Sequence, residues 1–87
     1  MSYKNTPAER QLVKFIESFP LPAEVIQGWV AVIQQQGMSE ELAEQIHAKL
    51  AEPVDGQPLP NRARLLVELA AQIKRWRMSE GARKFGR

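Results

Sequence analysis

Few side chains in this sequence have the types and spacing that catalysis or metal binding requires. Glu44 and His47 form a Glu-x-x-His pair, and one turn of helix would bring them side by side, as in the di-iron sites of helical bundles. Such a site also needs glutamates from facing helices, where the sequence offers only Glu24 and Glu68. An isolated pair of this kind is more typical of a solvated helix surface. We therefore expect no metal site.

Nucleophilic catalysis has equally little to draw on. His47 is the single histidine, the chain has no cysteine, and no serine lies in a Gly-x-Ser-x-Gly elbow. The sequence also lacks a glycine-rich loop that would cradle a phosphate group. We expect a protein that is not an enzyme and binds no cofactor.

Length and composition favour one small globular domain. With 87 residues there is room for a single domain, and 44% hydrophobic with 25% charged residues is typical of a folded chain. A small domain without cysteine favours the reducing cytoplasm. The longest uninterrupted apolar run, residues 29–33, is far too short to cross a membrane, so we expect no membrane partner.

Hydrophobic periodicity predicts two helices in the first half of the chain. The first begins at Thr6-Pro7-Ala8-Glu9, which has the pattern of a capping box, and ends at the prolines of residues 20–22. The second runs from about Pro22 or Ala23 to Gln36. Gly37 is predicted to end it in the left-handed conformation.

Two further helices are predicted in the second half. Ser39 caps the third, which ends near Ala51, and the proline-rich residues 52–60 form a loop. Asn61 caps the fourth, which runs to about Met78. Residues 79–87 begin with Ser-Glu-Gly and are predicted to be a flexible basic tail.

These elements predict an all-α fold, a compact bundle of four short helices arranged as two helical hairpins. Residues 1–78 form the domain and residues 79–87 the tail. Trp29 and Trp76 lie on apolar stripes and are predicted to be core residues. Gly28 indicates either a close helix crossing or a simply tolerated glycine, and the sequence leaves both open. A partial match between the two halves indicates either duplication or chance.

The segment from Ile33 to Ile46 resembles a helix-turn-helix in its turn pattern alone. In DNA-binding versions the second helix enters the major groove. Here that helix would begin with Glu40, Glu41 and Glu44, whose carboxylates are repelled by phosphates. We therefore predict a structural helical hairpin and not a DNA reader.

Charge is distributed unevenly along the chain, although the formal net charge is only +2. Residues 1–61 contain four Lys or Arg against eight Asp or Glu, whereas residues 62–87 contain eight against two. Such a split indicates a polyanionic or acidic partner, or else attraction between the two halves inside the fold. The sequence leaves both explanations open.

The basic end of the chain is the predicted partner-binding region. Its candidate residues are basic or aromatic: Arg64, Lys74, Arg75, Arg77, Arg83, Lys84, Phe85 and Arg87. We predict a protein–protein interaction module, an adaptor or regulator, whose helical surface and basic end dock on a protein partner. The alternative is a small nucleic-acid-associated protein whose cations contact phosphates while Phe85 stacks on a base. A homodimer is also expected, from the broad apolar face of the second helix and from Gly28 within it.

Overall fold

The computed structural model describes residues 3–53, 56–57 and 61–85, with side chains described as far as Ser79 in the last range. Its elements are four α-helices: α1 (Pro7–Glu17), α2 (Ala23–Gln36), α3 (Glu40–Ala51) and α4 (Arg62–Phe85). The predicted all-α class is confirmed. None of the helices in the described part of the chain is both long and apolar enough to cross a bilayer.

The predicted caps of α1 and α3 are present. The Thr6 hydroxyl accepts the Glu9 amide at 3.2 Å, and the Glu9 carboxylate accepts the Thr6 amide at 3.0 Å, which completes the capping box. The Ser39 hydroxyl accepts the Leu42 amide at 3.1 Å. These short-range bonds fix the start of both helices where the sequence predicted.

Gly37 ends α2 in a conformation that the sequence did not predict. Its φ of 86° is positive as expected, but its ψ of 171° lies outside the left-handed helical region, in a region that only glycine enters readily. Space is a second reason for glycine, because a Cβ atom here would lie 2.8 Å from the ring of Tyr3 and 2.9 Å from the Glu9 carboxylate.

The predicted end of the fourth helix near Met78 is wrong, because the backbone stays helical to Phe85. Ser79 and Gly81 are weak helix formers, but each costs at most about 1 kcal/mol against alanine, and good helix formers surround them. Asn61 precedes α4 with φ 59°, and its carbonyl accepts the Leu65 amide at 2.9 Å. The last two residues of the predicted tail, 86–87, lie outside the described residues.

The helices form two hairpins, as predicted. α1 packs on α2 and α3 packs on α4, while α1 and α4 join the two pairs. The helices α2 and α3 are linked by residues 37–39 but are not among the extensively packed pairs. The segment from Ile33 to Ile46 therefore comprises the end of α2, the turn at residues 37–39 and the start of α3. The predicted order of helix, turn and helix is present, but this segment links the two hairpins and is not a closely packed hairpin itself.

The core lies where the contacts of α1 with α2, of α1 with α4 and of α3 with α4 meet. It is built from large buried side chains of all four helices and the adjoining turns: Leu12, Ile16, Phe19, Ile26, Val30, Ile33, Met38, Leu42, Ile46, Leu50, Leu69, Ile73 and Trp76. Trp76, 6% exposed, is a core residue as predicted. Trp29 is only half-buried, and its ring meets Phe19 edge-on at 6.4 Å. In α2 the neighbouring Val30 is buried instead. The prediction that Trp29 is a core residue is therefore only partly correct.

Gly28 marks no close helix crossing. It is exposed, and a Cβ atom built on it would meet nothing within 4 Å. Of the two explanations that the sequence left open, the tolerated glycine is correct. The predicted homodimer therefore loses its support from Gly28 and rests on the apolar face of α2 alone.

Candidate interaction surface on the last helix

Arg77, one of the predicted partner-binding residues, forms an ion pair with another residue of the same chain at the protein surface. Its guanidinium donates to both carboxylate oxygens of Glu40, at 2.7 and 2.6 Å, and so links α4 to the first turn of α3. This bidentate bond lowers the pKa of Glu40 and raises that of Arg77. For this residue, attraction between the acidic and basic halves is the correct explanation of the charge split.

Three other predicted residues, Arg64, Lys74 and Arg75, remain available on the surface of α4. All three are exposed, and none forms an ion pair or a side-chain hydrogen bond with a described residue. Arg83, Lys84 and Phe85 belong to the helical backbone of α4, but their side chains lie outside the described part, as does all of Arg87.

Two large apolar side chains lie among these cations. Val67 is 72% exposed and Met78 is 67% exposed, far more than Val32 on α2 at 38%. At about 100° per residue, Val67, Ala71 and Met78 fall within roughly 40° of one another, opposite the buried stripe of α4. Sequence reasoning missed this second stripe because it counted only the stronger Leu/Ile stripe on the other side.

We call this surface the α4 outer face and define it by six exposed residues: Arg64, Val67, Ala71, Lys74, Arg75 and Met78. Its apolar residues lie in the middle, with Lys74 on one flank and the two arginines on the other. The neighbouring Glu68 accepts a hydrogen bond from the Gln72 amide at 3.1 Å. The face is therefore an apolar stripe between unpaired cations.

Glu44 and His47 lie near no third metal-binding side chain among the residues that the structure describes. Both are exposed and line a groove of about 260 Å³ between α3 and α4, whose floor includes Leu69 and Ile73. Within the described ranges, no three histidine, cysteine or carboxylate side chains gather closely enough to hold a metal ion. Arg77, already bound to Glu40, lies at the same groove.

The most buried ionisable group of the described chain is Glu9, which the sequence identified only as a cap. Its side chain is fully buried and accepts hydrogen bonds from the Tyr3 hydroxyl at 2.9 Å and the Met38 amide at 2.9 Å. The Asn5 amide, 3.4 Å from Glu9, also donates to the Ile33 carbonyl at 2.8 Å. The carboxylate thus joins the N-terminal segment, α1 and the turn between α2 and α3.

Two opposing effects act on the pKa of Glu9. Burial raises the pKa, whereas the hydrogen bonds donated to the carboxylate by the backbone amides of Thr6 and Met38 and by the side chains of Tyr3 and Asn5 lower it by a larger amount in total. The net shift of the pKa is therefore downward. A charged, fully enclosed carboxylate that is saturated with donors has no access to a substrate. We assign Glu9 a structural role.

Comparison of the chain with family models, with curated proteins and with solved structures finds no match.

Proposed function

We propose that this domain is a non-enzymatic protein–protein interaction module that binds an acidic partner protein through the α4 outer face. The observation that carries the proposal is the exposure of Val67 and Met78 between the unpaired cations Arg64, Lys74 and Arg75. A cytoplasmic location is part of the proposal and is supported by the absence of cysteine.

The mixture of apolar and basic side chains supports a protein partner. Exposed apolar groups rimmed by polar ones are characteristic of interaction sites, and Met and Arg are enriched in protein interfaces. The apolar stripe supplies area to bury, while the cations favour acidic partners and speed their association.

The nucleic-acid alternative has weaker support. Interfaces with nucleic acids are more polar and much more positive than protein interfaces. Here Arg77 is neutralised by Glu40, and Glu68 lies beside the face. The exposed Val67 and Met78 offer nothing to a phosphate backbone. A nucleic-acid partner is therefore kept as an outcome of the test.

The test is an NMR titration of the full chain with a synthetic acidic amphipathic helical peptide, and in parallel with single-stranded RNA and duplex DNA. We expect the peptide to shift the amide signals of the α4 outer face. The double substitution Lys74→Glu/Arg75→Glu reverses two charges and should weaken this binding by at least about tenfold, because like charges then face each other. The matched control, Lys4→Glu with Lys14→Glu, changes the net charge equally on exposed positions elsewhere.

A second variant tests the apolar stripe. Val67→Ser with Met78→Ser leaves the cations in place and should also weaken peptide binding. The proposal fails if the peptide leaves the α4 signals unchanged, or if the control weakens binding as much as the α4 reversal. Binding of RNA or DNA without peptide binding would establish the alternative instead.

A further inference from the structure

α3 has an exposed face whose chemistry is opposite to that of the α4 outer face. Glu41, Glu44 and Ala48 are exposed and follow one another at spacings of three and four residues, so they share one side of the helix. Neither glutamate forms an ion pair or a hydrogen bond with a described residue. We call these three residues the α3 outer face.

We infer that the acidic surface recognised by the α4 outer face is the α3 outer face of a second copy of this chain. This inference rests on the proposed function and names its partner. Lys74 and Arg75 of one copy would meet Glu41 and Glu44 of the next, and the small Ala48 leaves room for the apolar stripe. The charges of the two faces are thus complementary.

The whole of α3 is nearly as long as the α4 outer face, whereas the α3 outer face itself, from Glu41 to Ala48, extends over about 10 Å. α3 has 12 residues and is about 18 Å long, and the α4 outer face, from Arg64 to Met78, extends over about 21 Å at 1.5 Å per residue. α3 can therefore pack side by side with the α4 outer face along the whole of its own length. Contact along both faces would pair all of the unbound charges of the α3 outer face at once.

The cations of the α4 outer face oppose a symmetric contact between two copies of that face. A symmetric dimer through α4 alone would bring Arg64, Lys74 and Arg75 of both copies together, and like charges repel. A contact between α4 of one copy and α3 of the next joins unlike charges instead, either reciprocally in a two-fold dimer or head to tail. A head-to-tail contact leaves one α4 face and one α3 face free, so that such an assembly grows into a ring or a chain of copies.

The test combines sedimentation equilibrium with a charge exchange between two variants of the full chain. The wild type should exceed its 9.9 kDa monomer mass as concentration rises, and less so at high salt, because salt screens the pairing charges. The variants Lys74→Glu/Arg75→Glu and Glu41→Lys/Glu44→Lys should each associate at least about tenfold more weakly alone. An equimolar mixture of the two should associate again, since an acidic α4 then meets a basic α3.

The control Lys4→Glu with Lys14→Glu should keep the wild-type association. Circular dichroism checks that each variant is folded. A charge-reversed variant that does not fold is replaced by the neutral variant at the same positions, Lys74→Gln/Arg75→Gln or Glu41→Gln/Glu44→Gln. With those neutral pairs, both variants should associate less than the wild type.

Two results would overturn the inference: a wild type that stays at 9.9 kDa up to millimolar concentration, or a mixture no more associated than its components. If the wild type stays monomeric while the acidic peptide still binds α4, only the inference fails and the proposed function stands. If neither association occurs, both fail.

Discussion

Replacing Glu9 by glutamine should destabilise the fold more than its single-atom change suggests. The two carboxylate oxygens accept the amides of Thr6 and Met38, the Tyr3 hydroxyl and the Asn5 amide. Glutamine keeps only one acceptor oxygen and turns an NH₂ group toward donors that need an acceptor. At least one of the two backbone amides is then left without a partner.

The expected loss of stability follows from the number of hydrogen bonds that glutamine cannot accept. A buried donor left without an acceptor costs about 1–3 kcal/mol, and hydrogen bonds to a charged group are each worth about 1.5–3 kcal/mol against roughly half as much for neutral ones. We expect Glu9→Gln to lower the free energy of unfolding by about 2–4 kcal/mol, which is a large part of the stability of a small domain. The control Glu17→Gln, at an exposed position of the same helix, should change it by less than about 0.5 kcal/mol.

The charge of Glu9 also makes stability depend on pH. The pKa of this carboxyl lies below its ordinary value of 4.5 in the folded protein. Its stabilising contribution is therefore fully present above that value and is lost as the pH falls through the folded pKa. Urea unfolding of the wild type should show declining stability below about pH 4.5, and Glu9→Gln should remove much of this decline. A Glu9→Gln protein with wild-type stability, or with an unchanged acid decline, would refute the reasoning.

Four further substitutions, at three positions, test the packing. Gly28→Ala should raise the free energy of unfolding by about 0.5–1 kcal/mol, because its Cβ meets open space inside a helix; a lower melting temperature would contradict this. Gly37→Ala should lower the melting temperature, because both its φ and the space beside Tyr3 exclude a side chain; an unchanged melt would count against that geometry. Trp76→Ala should cost about 3–5 kcal/mol in urea unfolding. Trp76→Phe should cost much less, because the buried indole N–H forms no hydrogen bond with any of the described residues; equal losses for the two variants would show that this nitrogen matters.

Local signals were enough to predict most of the fold. Capping by Thr6 and Ser39 and the prolines after Phe19 act within a few residues, so the sequence indicates them directly. The end of α4 could not be predicted in this way. A Ser-Glu-Gly sequence lowers helix propensity by only about 1 kcal/mol at its weakest residue, and that is too little to decide between helix and coil.

The surface was harder to predict because it depends on contacts between distant residues. The bond between Arg77 and Glu40 joins positions 37 residues apart, so a local pattern does not reveal it. Helical spacing does place Arg77 beside the buried stripe of α4 and Arg75 opposite it. Burial of Glu9 depends in the same way on Met38, 29 residues away. Val67 and Met78 could have been found from their helical spacing, had the polar side of the helix been searched as carefully as its apolar side.

The order in which the helices pack has a consequence for how the protein opens. In space the order is α2, α1, α4, α3, so the first and last helices of the chain form an inner pair and the middle two lie outside. Each outer helix can separate while the inner pair stays intact. Amide protons of α1 and α4 should therefore exchange with solvent last, and those of α2 and α3 earlier through partial opening. Because Glu9 of α1 binds the turn between the outer helices, release of that turn would free both of them together, so a partner that pulls on α3 would also loosen α2.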